Sequence, residues 1–273
     1  MFNIETYRQC LSTQWLGRQI EVFGELPSTN SYLKDEGNRA KHISSVLCEG
    51  LLILAEHQTA GRGQRNRVWQ TEPGQNLTFS FCFHPHQLKR LPSLTLLVAV
   101  ACAEAIEKLI NVPIDIKWPN DLFADGGKIS GILIESALLG SKVENLVVGI
   151  GLNVNQTEFA DDNSQATSLR NVLPDGVEMP SREKLLATLC NTLEPYLDAW
   201  DSGDALPREA SHKRLIGYGL YGNIEINDVV QDDMVKFMGI DSEGYPTFVS
   251  YDGDIIRYRH EQIRFHPETI SVL

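Results

Sequence analysis

The chain has 273 residues, 42% hydrophobic and 22% charged, with a formal net charge of −12. That length admits one large domain plus a small one, and the composition is ordinary for a soluble globular protein. The acidity argues against a nucleic-acid binder, and no apolar run reaches the roughly 18 residues of a membrane span.

Five scattered cysteines (Cys10, Cys48, Cys82, Cys102, Cys190) are odd in number and never spaced as a metal pair, which suits buried thiols in a reducing compartment. The N-terminus has no apolar core with a cleavage site, and Glu5 is against a transit peptide, so the expected location is cytoplasmic.

Residues 1–18 read as a short helix with Leu11 and Trp15 four apart on one face. Residues 19–23 have strand character, and Pro27-Ser28-Thr29-Asn30 opens a helix through about residue 38, with Ser28 or Thr29 as N-cap. The apolar run 51–55 is expected as a strand buried on both faces. It delivers the stretch H-Q-T-A-G-R-G-Q-R-N-R-V-W at residues 57–69.

Within that stretch, Gly61 and Gly63 let the backbone approach a ligand and turn its N–H groups toward an anion. Arg62, Arg65 and Arg67 add permanent charge that forks well onto phosphate. The spacing is not that of a Walker A loop, and these residues alone also fit a solvated basic loop. With no large apolar residue before Val68, the loop should need a ligand to order it.

Leu77, Phe79, Phe81 and Phe83 alternate with polar or small residues, which predicts a strand with one aromatic buried face. A long apolar helix is expected from residue 92 to about 110, stopped near Asn111 and Pro113. Residues 114–118 make a short strand that ends in Lys117-Trp118-Pro119-Asn120-Asp121, and residues 122–135 form a hairpin about Asp125-Gly126-Gly127. Another apolar strand, 146–153, contains Gly149 and Gly151, a pattern that marks close approach by a ligand or a second backbone.

Residues 158–180 are polar and turn-rich and read as a surface segment. Residues 181–200 form an amphipathic helix capped by Ser181, with Pro195 inside it. From about residue 212, five short strands fit a small SH3-like barrel, so the expected domains are 1–208 and 209–273.

Five blocks stand in a telling order: Ser28-Thr29-Asn30, Gly61-Arg62-Gly63 through Trp69, Lys117 through Asp121, Lys128-Ile129-Ser130-Gly131-Ile132-Leu133-Ile134-Glu135, and Gly149 through Asn155. Together they resemble the biotin protein ligases, including the holocarboxylase synthetases. The resemblance implies an α+β fold, with a mixed sheet and helices followed by a small SH3-like β domain. It also implies that biotin and Mg-ATP form biotinyl-5′-AMP, and that biotin then passes to a lysine of a biotin carboxyl carrier protein or domain, as in apo acetyl-CoA carboxylase.

By the same resemblance, Lys128, Arg62, Arg67 and Asp121 are the catalytic residues. Ser28, Thr29, Asn30, Gln58, Gly61, Arg62, Gly63, Gln64, Lys128, Gly131 and Gly149 are expected at biotin. Arg65, Arg67, Trp69, Asn76, Lys117, Asn120 and Asn153 are expected at ATP, and Asp121 at Mg²⁺. Lys128 beside a Gly-Gly turn also fits a solvated hairpin lysine when read alone, and Trp69 and Trp118 also fit the core.

Two departures matter. The first block begins at residue 28, which leaves no room before it for a winged-helix domain, so no repressor function or nucleic-acid partner is expected. Gln64 stands where bacterial members often carry an arginine, which puts one charged contact to the adenylate in question. A lipoate or octanoate ligase or transferase of the same fold, and a non-catalytic biotin-binding regulator, are the competing readings. No membrane partner is expected, and the sequence is compatible with a monomer or a homodimer.

Overall fold

Strand β3 (Leu77–Phe83) sits near the middle of a seven-stranded sheet, and its alternation organises the two sides of that sheet. The other strands are β1 (Ile20–Phe23), β2 (Leu52–Ala55), β4 (Asp115–Lys117), β5 (Asp121–Ala124), β6 (Gly127–Leu139) and β7 (Lys142–Leu152). Their order is β1-β2-β3-β7-β6-β5-β4, with β1 and β2 parallel and every other pair antiparallel. The computed structural model describes residues 1–35, 49–64, 67–86, 90–139, 142–160, 165–174, 176–204, 211–227, 229–258 and 263–266, with backbone alone for 137–139 and 142–145.

Helices α1 (Ile4–Cys10), α3 (Leu91–Ile110) and α5 (Arg182–Asp201) belong to the side where the main core lies. Phe79, Phe81, Leu54, Val148, Ile150 and Ile132 meet Leu94, Leu97, Val98, Leu189 and Leu193 there. Burying each such side chain contributes about 1.5–3 kcal/mol, so this layer dominates the fold's stability. Helix α2 (Thr29–Lys34) roofs the other side over a smaller cluster of Leu33, Leu51, Ile53, Cys82 and Val147.

That second roof corrects the expectation of a single buried face for β3, because all seven of its residues are buried, Thr78 and Ser80 included. The helix expected over 1–18 is only Ile4–Cys10, with Leu11 extended after it. The amides of Gln14, Trp15 and Leu16 instead converge on the Glu194 carboxylate of α5, a tertiary contact that replaces another helical turn. Of the helix expected over 28–38, residues 36–38 lie outside the described residues.

The turn-rich stretch after β7 holds a short helix, α4 (Leu169–Val172), capped by Ser168. It is not purely a surface segment, since Ser168 and Leu169 are fully buried. Helix α3 ends on Asn111 in the left-handed conformation, and α5 starts on Ser181 and runs through Pro195. Cys82, Cys102 and Cys190 are buried and unbridged, whereas Cys10 is exposed and Cys48 lies outside the described residues. Burial pushes the Cys190 thiol up to about 12 and that of Cys102 higher still, so neither is a reactive thiolate.

The C-terminal part forms a second, antiparallel sheet from β8 (Tyr221–Ile226), β9 (Val229–Val230), β10 (Val235–Ile240), β11 (Pro246–Val249), β12 (Ile255–Arg257) and β13 (Ile263–His266). Its order is β12-β11-β10-β8-β13, with β9 on β8, one strand more than the five expected. Phe237, Phe248 and Phe265 pack at its centre with ring centroids 5.2–5.7 Å apart. The two sheets are linked where the Ile116 amide donates to the Arg214 carbonyl (2.7 Å) and the Ile216 amide to the Ile116 carbonyl (3.0 Å). This mixed sheet with helices, followed by a curled antiparallel sheet, is the α+β arrangement expected from the sequence.

Candidate functional site

Strand register draws the motif blocks into rows on the α2 side of the first sheet. Ala55, Thr78, Gly151, Gly131, Asp121 and Lys117 are successive cross-strand partners, and Ile53, Ser80, Gly149 and Leu133 form the next row. Directly opposed residues share a face, so three glycines leave a bare strip of backbone between Thr78 and Ser80 on one flank and Asp121 on the other.

Trp69 lies on that strip. A Cβ at Gly151 would fall 2.3 Å from Trp69 Cε2, and one at Gly131 would fall 3.1 Å from its Cζ3. The indole N–H is buried without a hydrogen-bond partner among the described residues, an uncompensated donor in the floor of the site. Asn30 fills the next bare position, because a Cβ at Gly149 would meet its Oδ1 at 2.1 Å. Gly149→Ala should therefore push Asn30 off the sheet and weaken ligand binding at this site by roughly 5- to 150-fold, since a buried group left unsatisfied costs about 1–3 kcal/mol. Titration calorimetry reads this directly, and wild-type affinity would show that Asn30 is dispensable.

Beneath α2 lies a neutral polar nest. Gln58 Oε1 accepts from the Thr29 amide (2.8 Å) and Thr29 Oγ1 (3.1 Å). The Thr29 and Ser80 hydroxyls are 2.6 Å apart, and Ser80 Oγ donates to Asn30 Oδ1 at 2.6 Å. All four residues are buried. Ser28 is the exception within its block: its hydroxyl caps α2 by accepting from the Ser31 amide.

The loop after β2 closes on itself. The Gly63 amide donates to the Arg67 carbonyl (2.7 Å), the Arg67 amide to the Gln64 carbonyl (3.1 Å) and the Trp69 amide to the Gly61 carbonyl (3.0 Å). Gly61 is required by this closure, since a Cβ there would sit 2.2 Å from the Trp69 carbonyl oxygen. The described part of the loop thus carries its own backbone ladder. Arg67 is exposed, Gln64 is half-buried, and Arg65 lies outside the described residues.

Lys128 reaches the site through a bulge. Phe123 pairs with Lys128 and Leu122 with Ser130, so Ile129 has no opposite number and Lys128 shares the face of Asp121 and Gly131. Its Nζ lies 2.7 Å from Asp121 Oδ1 and 5.6 Å from the Trp69 ring centroid. The Lys128 backbone is fixed as well, donating to the Gln165 carbonyl and accepting from the Thr167 amide. Lys117 sits over the Phe123 ring at 5.7 Å, on the edge of the same face.

Three nominated residues do structural jobs. The Asn120 side chain donates to the Ile132 carbonyl (2.9 Å), and that of Asn153 to the Thr167 carbonyl (2.9 Å). Asn76 is buried, donating to Gln156 Oε1 (2.6 Å) and accepting from the Val154 amide (2.9 Å), so it clamps the start of β3 to the segment after β7.

Glu135 is the residue to which sequence reasoning gave no role. Arg62 Nη1 and Nη2 donate to its two oxygens (3.2 and 2.7 Å), Lys34 Nζ lies 2.8 Å from Oε1, and Asn30 Nδ2 donates to Oε2 (2.9 Å). Burial alone would raise its pKa, but the Lys34, Asn30 and Arg62 donors outweigh that and hold it below the usual carboxylate range. Its place at the end of the fourth block was the available signal. Ser80 likewise had no role in the sequence reading, whereas Gly151 was marked there only as a place of close approach.

Among the described residues, no three His, Cys, Asp or Glu side chains gather as a metal cage. Magnesium commonly rests on phosphate oxygens with one or two carboxylates; of the two carboxylates on this face, Glu135 is engaged by Arg62, Lys34 and Asn30, and Asp121 pairs with Lys128.

The sequence profile of the Biotin/lipoate A/B protein ligase family matches residues 25–153. The biotin--[acetyl-CoA-carboxylase] ligase of Mycobacterium tuberculosis is 30% identical over 255 residues, 89% of this chain and 90% of that protein. The bifunctional ligase/repressor BirA of Bacillus subtilis is 37% identical over 163 residues, 58% of this chain and 48% of that protein. The chain thus spans about half the length of that relative. The Aquifex aeolicus biotin protein ligase in complex with biotin and ATP superposes with a TM-score of 0.76 at 24% identity, covering 91% of this chain and 99% of that one, a likeness of fold.

Proposed function

Because this chain belongs to the biotin protein ligases of the biotin/lipoate A/B protein ligase family, we propose that it activates biotin with Mg-ATP and transfers it to a lysine of a carboxylase's biotin carboxyl carrier domain. The observation that carries this reading is the glycine strip with Trp69 and the Lys128–Asp121 pair at one end and the neutral polar nest at the other. A ureido ring needs donors and acceptors together, and Thr29, Asn30, Gln58 and Ser80 offer both in a prearranged, buried group. The glycines beside them let Trp69 and Asn30 lie directly on the sheet.

In the first step a biotin carboxylate oxygen bonds to the α-phosphorus, and the α–β bridging bond breaks to release pyrophosphate. Two anions must approach, so fixed cations are needed where charge builds up. Arg62, Arg67, Lys117 and Lys128 are the described candidates, with Arg65 as a fifth nominee. Magnesium supplies further neutralisation when bound to the phosphates, and Asp121 is the residue we assign to it. Trp69 gives the adenine a face to stack on, as its position over Gly131 and Gly151 supports.

In the second step the carrier lysine amine bonds to the acyl carbon, and the bond to the AMP oxygen breaks. Asp121 accepts a hydrogen bond from that amine and so orients it, which requires its pairing with Lys128 to loosen as the adenylate forms. We assign this chemistry to residues 1–208 and treat 209–273 as a separate β unit.

A lipoate ligase would need no neutral polar nest at the head of its acyl chain, so a dithiolane there would leave the nest without a polar partner. The expected result is biotin-dependent exchange of labelled pyrophosphate into ATP, with lipoate inert, followed by labelling of an apo carrier domain. Exchange with lipoate but not biotin would overturn the reading, and biotin binding without any exchange would leave a non-catalytic binder.

A further inference from the structure

We propose that Glu135 is a positioning residue for Arg62, fixing the guanidinium over the site and setting the local charge that an incoming anion meets. This rests on the ligase reading above. The pairing joins three parts of the chain: the loop that carries Arg62, helix α2 through Lys34 and Asn30, and strand β6.

The geometry separates this from an ordinary surface ion pair. Arg62 lies on a glycine-flanked loop and is exposed, its side chain 42% accessible. Both terminal nitrogens engage both carboxylate oxygens, which fixes the guanidinium plane as a single contact could not. The carboxylate is immobilised from its other side by Asn30 and Lys34, each on α2. Asn30 is in turn the side chain that sits over Gly149 and takes the Ser80 hydrogen bond. Glu135 therefore couples the neutral nest to the cationic loop.

Two of the five guanidinium N–H groups are committed to Glu135, which leaves others for a ligand oxygen. Arg62, Lys34 and Glu135 together carry a net +1, against +2 without the carboxylate. Removing the negative charge while keeping the shape should leave anion binding intact or tighter, yet misplace Arg62 as charge develops. A ~1 Å misplacement of such a group costs on the order of 10² in rate.

The test is Glu135→Gln in the full chain, read by pyrophosphate exchange as kcat and KM for ATP. We expect kcat to fall by about 10² with KM for ATP unchanged or lower, and no further loss when the change is made in an Arg62→Ala background. A general loss of packing would raise KM and lower Tm together, and that result, or a kcat within threefold of wild type, would overturn the proposal. So would additive losses in the double variant.

If Glu135→Gln fails to fold, Arg62→Lys decides. It keeps the charge but cannot bind both oxygens at once, so wild-type kcat in that variant would overturn the proposal. If the wild-type protein shows no biotin-dependent exchange, the ligase reading itself fails. Hydrogen exchange then tests Glu135 separately, with faster exchange of the residue 61–64 amides expected in Glu135→Gln and an unchanged rate counting against it.

Discussion

Lys128→Ala should cut the rate of biotinyl-5′-AMP formation by about 10², the usual consequence of losing roughly 3 kcal/mol of transition-state stabilisation from one fixed donor or cation. Biotin affinity should fall far less. Lys128 stands at the Asp121 end of the glycine strip, with its Nζ 2.7 Å from Asp121 Oδ1 and facing the Trp69 ring. The neutral nest of Thr29, Asn30, Gln58 and Ser80 lies in the adjoining row and makes no described contact with it. The two functions can therefore be separated. Single-turnover adenylate formation and equilibrium biotin titration, run on the same variant, measure them. Equal losses in both would make Lys128 a ground-state ligand and defeat the assignment.

Arg182→Met should destabilise the protein by about 3–5 kcal/mol, the range for removing one partner of a buried ion pair. Arg182 and Glu56 are each only 9% exposed at the side chain and 2.6 Å apart, so solvent cannot take over the lost interaction. Arg182 also donates to the Asn76 carbonyl, and the Phe2 amide donates to Glu56. At roughly 2–4 °C per kcal/mol for a chain of this size, Tm should fall on the order of 10 °C. A fall of less than about 2 °C would show that Glu56 finds another partner. Adding Glu56→Gln to Arg182→Met should recover much of the loss, because the cost is chiefly that of an unpaired buried charge.

The same pair gives the fold an acid limit. Burial alone would raise the Glu56 pKa, but Arg182 and the Phe2 amide outweigh it, so the folded carboxyl titrates below the unfolded one. The unfolded chain then takes up its proton first. This stabilisation is complete above the unfolded carboxylate pKa and is lost as pH falls through the depressed folded value. Glu135 is shifted the same way and adds to the effect. Urea midpoints should be flat above about pH 5 and fall steeply below about pH 4. Arg182→Met should show a shallower acid dependence than wild type.

Local chemistry determined a great deal of this protein. The apolar run of β2, the alternation of β3, the Ser28 and Ser181 caps and the Asp125-Gly126 hairpin turn each follow from a few neighbouring residues. The five motif blocks fixed the family on the same basis, because chemistry that needs particular side chains at particular spacings leaves them in the sequence.

Tertiary structure decided what those blocks do to one another. Alternation counted from Gly131 puts Lys128 on the opposite face of β6, and only the bulge at Ile129, set by pairing with β5, turns it toward Asp121. Glu135 meets Lys34 and Arg62 across sequence separations of 101 and 73 residues, and Arg182 meets Glu56 across 126. Residues 12–18 had the pattern for more helix, but the carboxylate of Glu194 took their amides. Periodicity and caps are properties of adjacent residues and survive in the sequence as written. Register, bulges and long-range ion pairs are chosen by which packing of the whole chain leaves the fewest buried groups unpaired.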